Sequence, residues 1–172
     1  MRLYRSLIPQ IAKEIIQQLR KDGDIEVTDS NVVEAEKDIV AIMEQYLKTE
    51  RHIIEQAKDL IETRGLTHSD LGRIKRELSE RYQHPLGEEG HRWIIGQTIE
   101  GFMISRYVDE VYAEDHVLRR KITAVMQKLL VDESTLDDEV RARMKNLHEG
   151  TSGWNIQYQK IMREVKRKHG LL

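Results

Sequence analysis

Residues 32–61 read VVEAEKDIVAIMEQYLKTERHIIEQAKDLI, and their spacing predicts one amphipathic helix. Val32, Ala35, Ile39, Ile42 and Tyr46, then Ile53, Ala57 and Leu60, recur at steps built from three and four. Such steps gather side chains on one face of a 3.6-residue helix, so that face is read as buried. Neither Gly nor Pro interrupts the run. At 1.5 Å per residue it makes a rod of roughly 45 Å.

The stripe returns later in the chain, at Leu118, Ile122, Val125, Leu129, Leu136, Val140, Met144 and Leu147. An offset of 83 places Ile39 on Ile122, Met43 on Met126, Leu47 on Leu130 and Ile53 on Leu136. An offset of 84 places Ile11 on Ile95, Ile15 on Ile99, Leu19 on Met103 and Val27 on Val111. Helix, connector and helix thus agree in order and length, the pattern of an internal duplication. The competing reading is an accidental match of two helical stripes. The fold class expected is all-α: two pseudo-repeated units of short helix, connector and long helix, packed as an elongated bundle. A helical insert separates the copies and a C-terminal helix follows them. HPLGEEG, residues 84–90, holds the clustered breakers and divides the chain into residues 1–86 and 87–172.

Punctuation refines the outline. Ser6 is a cap for a first helix with Leu7, Ile8, Ile11, Ile15, Ile16 and Leu19 on its apolar face, and Pro9 falls in the first turn. Ile25-Glu26-Val27 is a connector or a very small strand. Thr28, Asp29 or Ser30 caps the long helix, and Gly65 ends it. Thr67-His68-Ser69-Asp70 has capping-box spacing before a short helix with Leu71, Ile74 and Leu78 inward. The opening helix of the second unit spans about 88–106, with Trp93, Ile95, Ile99, Phe102 and Met103 apolar. Both long helices weaken at one place, Thr49-Glu50-Arg51 and Val131-Asp132-Glu133-Ser134, so a bend or break is expected in each. Ser134 or Thr135 would cap the restart. Ser152 would cap the last helix, whose face is Trp154, Tyr158, Ile161 or Met162, and Val165.

Composition narrows the function classes. The 28 Lys and Arg against 30 Asp and Glu leave a net charge of -2, unlike strongly basic nucleic-acid binders. With no Cys, disulfides, thiolate metal sites and cysteine nucleophiles are excluded. Charged and amide side chains in every turn of the first twenty residues, and no run of eighteen apolar residues, predict a cytoplasmic protein without membrane insertion.

No catalytic pattern emerges. Glu88-Glu89-Gly90-His91 has the Glu-x-x-His spacing of carboxylate-bridged metal bundles, but the repeat lacks its partner. His52 with Glu55, and Asp115 with His116, read as solvated surface residues. There is no glycine-flanked serine elbow, P-loop or dinucleotide fingerprint. Asp137-Asp138 sits where acids complement a helix dipole. No cofactor, metal or enzymatic activity is expected.

Charge placement says more. Residues 22–62 carry twelve acids and four bases, whereas residues 160–172 carry five bases and one acid. Arg73, Lys75 and Arg76 of the insert, with Arg163, Lys166, Arg167 and Lys168 at the C-terminal end, form the candidate basic binding surface; Arg81 adds to the insert's charge. The alternative is that residues 154–165 dock on the core while the basic residues complement the helix C-terminus.

Taken together, SLIPQIAKEIIQQL, DIEV, YLKTERHIIEQAKDLIETRGL, LGEEG, KNLHEGTSGW and IMREVKRKHGL resemble, in order and spacing, the bacterial domain of unknown function 507 family over essentially the whole chain. That resemblance implies a mostly helical bacterial cytoplasmic protein, with no activity, cofactor or catalytic residue to carry over.

The function expected is therefore a non-catalytic protein-interaction or adaptor module, with another protein as partner. An RNA- or ribosome-associated role through the basic residues is the alternative, and a metal-dependent enzyme assembled from distant His and acids is the third. The long stripes also permit a homodimer by coiled pairing, or antiparallel packing within one chain.

Overall fold

A computed structural model of the chain describes residues 1–144 and 148–172. Its fold is all-α, a bundle carrying one two-stranded sheet. The elements are α1 (Ile8–Lys21), β1 (Ile25–Glu26), α2 (Val32–Thr63), α3 (Leu71–Tyr82), α4 (Gly87–Ile104), β2 (Glu110–Val111), α5 (Asp115–Leu129), α6 (Glu133–Arg143) and α7 (Ser152–Lys168). Short 3-10 turns lead into α1, α2 and α3.

Both predicted stripes are inward. Ile39, Ile53, Leu118, Ile122 and Val140 are at most 1% exposed; Leu147 lies outside the described residues. One apolar cluster draws Ile11, Ile15 and Leu19 of α1, Ile39 and Met43 of α2, Ile94 and Ile99 of α4, and Leu118 and Ile122 of α5. The 86/87 boundary thus divides the chain but not this core. α1 packs on α2 and α5, and α4 packs on α5 and α2. The two connectors pair with each other as antiparallel strands, Ile25 opposite Val111 and Glu26 opposite Glu110. Polar ties reinforce this: Thr28 donates to Asp109 through its backbone N–H and its hydroxyl. The Lys121 ammonium bridges Asp22 and Asp24.

Two smaller clusters flank this body. Ile53 and Ala57 of α2 meet Ile74 and Leu78 of α3. Leu136 and Val140 of α6 meet Ile161 and Val165 of α7, joined by Tyr4 and Leu171. The segment read as an insert and the terminal helix therefore do the same job, each closing the far end of a long-helix unit.

Several local expectations are corrected. α2 runs unbroken through Thr49, whose hydroxyl donates to the Gln45 carbonyl within the helix. The second rod does break, between Leu129 and Glu133. There the backbone of Val131 is drawn into a bridge with Arg2, and Asp132, not Ser134 or Thr135, accepts the capping hydrogen bond from the Ser134 N–H at 3.0 Å. Ser6 lies inside a 3-10 turn, and no side chain caps α2: the chain enters it from the 3-10 turn Asp29–Asn31, and the Thr28 hydroxyl donates to Asp109. Thr151 replaces Ser152 as the cap of α7. Met103 is 59% exposed: the inward face of α4 runs through Ile94, Thr98 and Phe102, one helical step away. The Thr67–Asp70 capping box forms. Gly65 takes φ +60° while the Leu66 N–H closes back on the Ile61 carbonyl, a turn that a residue with Cβ adopts only under strain.

Candidate functional site

The seven candidate cations sit in different surroundings. Arg73 is held by Asp70 and Glu77, and Lys168 by Glu139 at 3.0 Å. Lys75 lines a cleft at the junction of the two halves. The Lys166 ammonium lies 5.5 Å from the centre of the Tyr4 ring. Arg76, Arg163 and Arg167 are exposed, and no acid pairs with them among the described residues. On α7, Arg163 and Arg167 share the outward face with Asn155, Ile156, Gln159, Lys160 and Glu164. Ile156 is 72% exposed there, whereas Trp154, Ile161 and Val165 turn to the arm's own core. The apolar residues of this helix thus dock on the arm's own core, and Arg163 and Arg167 lie on the opposite face.

The cleft, about 250 Å³, is lined by Arg2, Tyr46, Glu50, Lys75, His91 and Glu133, among others. Only Lys75 belonged to the sequence-derived set. Glu133 accepts hydrogen bonds from Arg2 at 3.0 Å and Tyr4 at 2.9 Å. Burial works against its charge, but Tyr4 and Arg2 together hold its carboxyl below the usual range. Burial and this carboxylate push the Tyr4 hydroxyl up to about 12. Glu50 makes no hydrogen bond or ion pair among the described residues, and burial raises its pKa despite Arg2 and Lys75 nearby. A signal was present in the sequence: the offset of 83 that aligned Ile39 with Ile122 also aligns Glu50 with Glu133.

Behind the cleft lies the breaker segment. His84 is 6% exposed and stacks on Tyr46, ring centres 4.5 Å apart, with Trp93 beside both. Tyr46 donates to the Pro85 carbonyl, and His84 Nε2 has no partner among the described residues. Gly90 is required here, since a Cβ would sit 1.8 Å from the Tyr46 hydroxyl oxygen. Among the described residues, no three His, Asp or Glu gather as a metal-binding group. Within Glu88-Glu89-Gly90-His91, Glu89, which lies between the two spaced residues Glu88 and His91, pairs with Arg92.

The family described as Protein of unknown function (DUF507) matches residues 1–171 of the chain. This chain belongs to the DUF507 family. No curated protein matches it. Membership covers both halves of this DUF507 chain, so the charged cleft and the outward face of α7 both lie within the matched region. No helix in the described residues is long and apolar enough to cross a membrane.

Proposed function

We propose that this chain is a non-catalytic, cytoplasmic interaction module, and that the outward face of α7 receives an acidic, partly apolar segment of another protein. The observation that carries the reading is the row Ile156, Lys160, Arg163 and Arg167 on one helix face, where no acid pairs with either arginine among the described residues. In a chain of net charge -2, such a row gives a partner orientation and a faster encounter. An exposed isoleucine amid the cations suits a protein partner better than a polyanion. RNA binding would call on many phosphate contacts, and three of the seven candidate cations, Arg73, Lys166 and Lys168, already face an acid or an aromatic ring. Nor does an aromatic platform accompany the row, since Trp154 stacks on Tyr158 within the arm.

The test is in-cell crosslinking followed by mass spectrometry, comparing the native chain with Ile156→Ser/Arg163→Glu/Arg167→Glu. The partner recovered with the native chain should be lost from the triple variant while helical content stays unchanged. Retention of that partner by the variant, or recovery of structured RNA with steep salt dependence instead, overturns the proposal.

A further inference from the structure

Glu50 and Glu133 occupy matching places in the two long-helix units, 83 positions apart, and both line the cleft of about 250 Å³. Their surroundings differ. Glu133 accepts from the Arg2 guanidinium and the Tyr4 hydroxyl. Glu50 is half-buried and has neither hydrogen bond nor ion pair among the described residues, so burial disfavours its charged form. Half-buried acids of the arm are served otherwise: Asp137 holds Arg141, and Glu139 holds Arg143.

The same cleft receives Lys75 of α3. Lys75 is half-buried too, makes no hydrogen bond or ion pair among the described residues, and lends Glu50 only a distant attraction. Arg2 and Glu133 cancel each other, and burial holds the His91 imidazole on the wall below its ordinary value, so it adds no charge at neutral pH. One acid and one base are left open. Leu47 and Ile54, three residues before and four after Glu50 on α2, supply apolar wall beside them. A lone anion would meet Glu50 and Glu133 as like charges, and a lone metal cation would meet Arg2 and Lys75. A molecule carrying both signs avoids either conflict.

We infer that this cleft binds a small zwitterion, an apolar α-amino acid, with its ammonium on Glu50, its carboxylate on Lys75 and its side chain against Leu47 and Ile54. The ligand's ammonium does for Glu50 what Arg2 does for Glu133. The volume lies just below the roughly 300–1,000 Å³ of pockets for larger ligands and suits a single amino acid. The site is separate from the outward face of α7, and either can fail alone, because Arg163 and Arg167 do not line the cleft.

Titration calorimetry of the full chain with L-leucine, L-valine and L-methionine tests this, and at least one should bind saturably. The amine left by removing that amino acid's carboxyl group, and the acid left by removing its amino group, should each bind at least about tenfold more weakly, since each forfeits one charge-assisted hydrogen bond. Glu50→Gln and Lys75→Met should weaken binding by a similar factor, and Arg76→Met, at an exposed position of α3, should leave it unchanged. Because Glu50→Gln removes a half-buried charge that has no partner, its melting temperature should not fall. No saturable binding by any of the three at millimolar concentration overturns the inference. So do half-ligands that bind as tightly as the amino acid, or affinity that ignores Glu50→Gln and Lys75→Met. A Glu50→Gln chain that melts early overturns it as well, since Glu50 would then be a structural partner of Lys75.

Discussion

The two ends of the bundle are built from matching parts and are held in different ways. At one end α2 runs on as a single 32-residue helix, so α3 docks on a rod whose root lies in the central core. At the other, α5 stops at Leu129, and the α6–α7 arm is secured by a backbone bridge, one tyrosine and a capped restart. Rods with the same apolar stripe thus gain different mechanics from a few residues between them. A continuous helix transmits its position through its own hydrogen bonds; an interrupted one depends on whatever is bound at the gap.

The strongest way to break this comparison is through the part the two ends share. Ile122 is fully buried among residues of both halves, and Ile122→Asp should cost about 4 kcal/mol, because it buries a charge without a partner. In urea unfolding followed by fluorescence, Trp93 and Trp154 should lose their native signals together and earlier than in the native chain. If one signal keeps its native midpoint, the central core is not common to both ends.

A sharper cut separates the ends. Tyr4→Ala and Leu78→Ala should each remove about 3 kcal/mol of local stability by opening a cavity in one satellite cluster. Tyr4→Ala should expose α6 and α7 to amide exchange and move the Trp154 transition ahead of that of Trp93. Leu78→Ala should loosen α3 and leave Trp154 unchanged. Coincident loss of both tryptophan signals in Tyr4→Ala would mean the arm has no independence.

The smallest effect expected is with pH. Burial holds the His84 imidazole below its ordinary value of 6.5, so the folded chain binds that proton less well than the unfolded one. The stability linked to it is full above the unfolded value and is lost as pH falls below 6.5 toward the folded one. His91 is lowered too, first by burial, and acts in the same direction. His84→Phe keeps a ring against Tyr46 and should reduce the loss of melting temperature between pH 7 and pH 5 without abolishing it. An unchanged pH profile would remove His84 from this account.

What could be read from the chain follows from how local each decision is. The stripe through Ile39 and Ile53 needs only helical periodicity, and the Thr67–Asp70 box only four neighbouring residues; both stand in the structure. Caps that compete with distant partners were not legible. Thr28 has the right chemistry to cap α2, yet a 3-10 turn, Asp29–Asn31, separates it from that helix, and its hydroxyl donates to Asp109, 81 positions away. Met103 was placed inward by aligning it with Leu19, but α4 is gripped by α2 on one side and α5 on the other, which rotates its buried face. The cleft was hidden for the same reason. Arg2, Glu50, Lys75 and Glu133 come from separate parts of the chain, and none belongs to a motif. For the α7 face, charge density pointed to a helix on which Arg163 and Arg167 are exposed, while the pairing of Lys168 with Glu139 could be seen only once α6 lay beside it.

Pairing β1 with β2 also sets an order of events during synthesis. Thr28 must wait for Asp109, 81 residues later, and at translation speeds of 5–20 residues per second that interval is about 4–16 s. For that time α1 and α2 present their oily flanks with no α4 or α5 to cover them. That exposure of the first half ends only when the second half arrives.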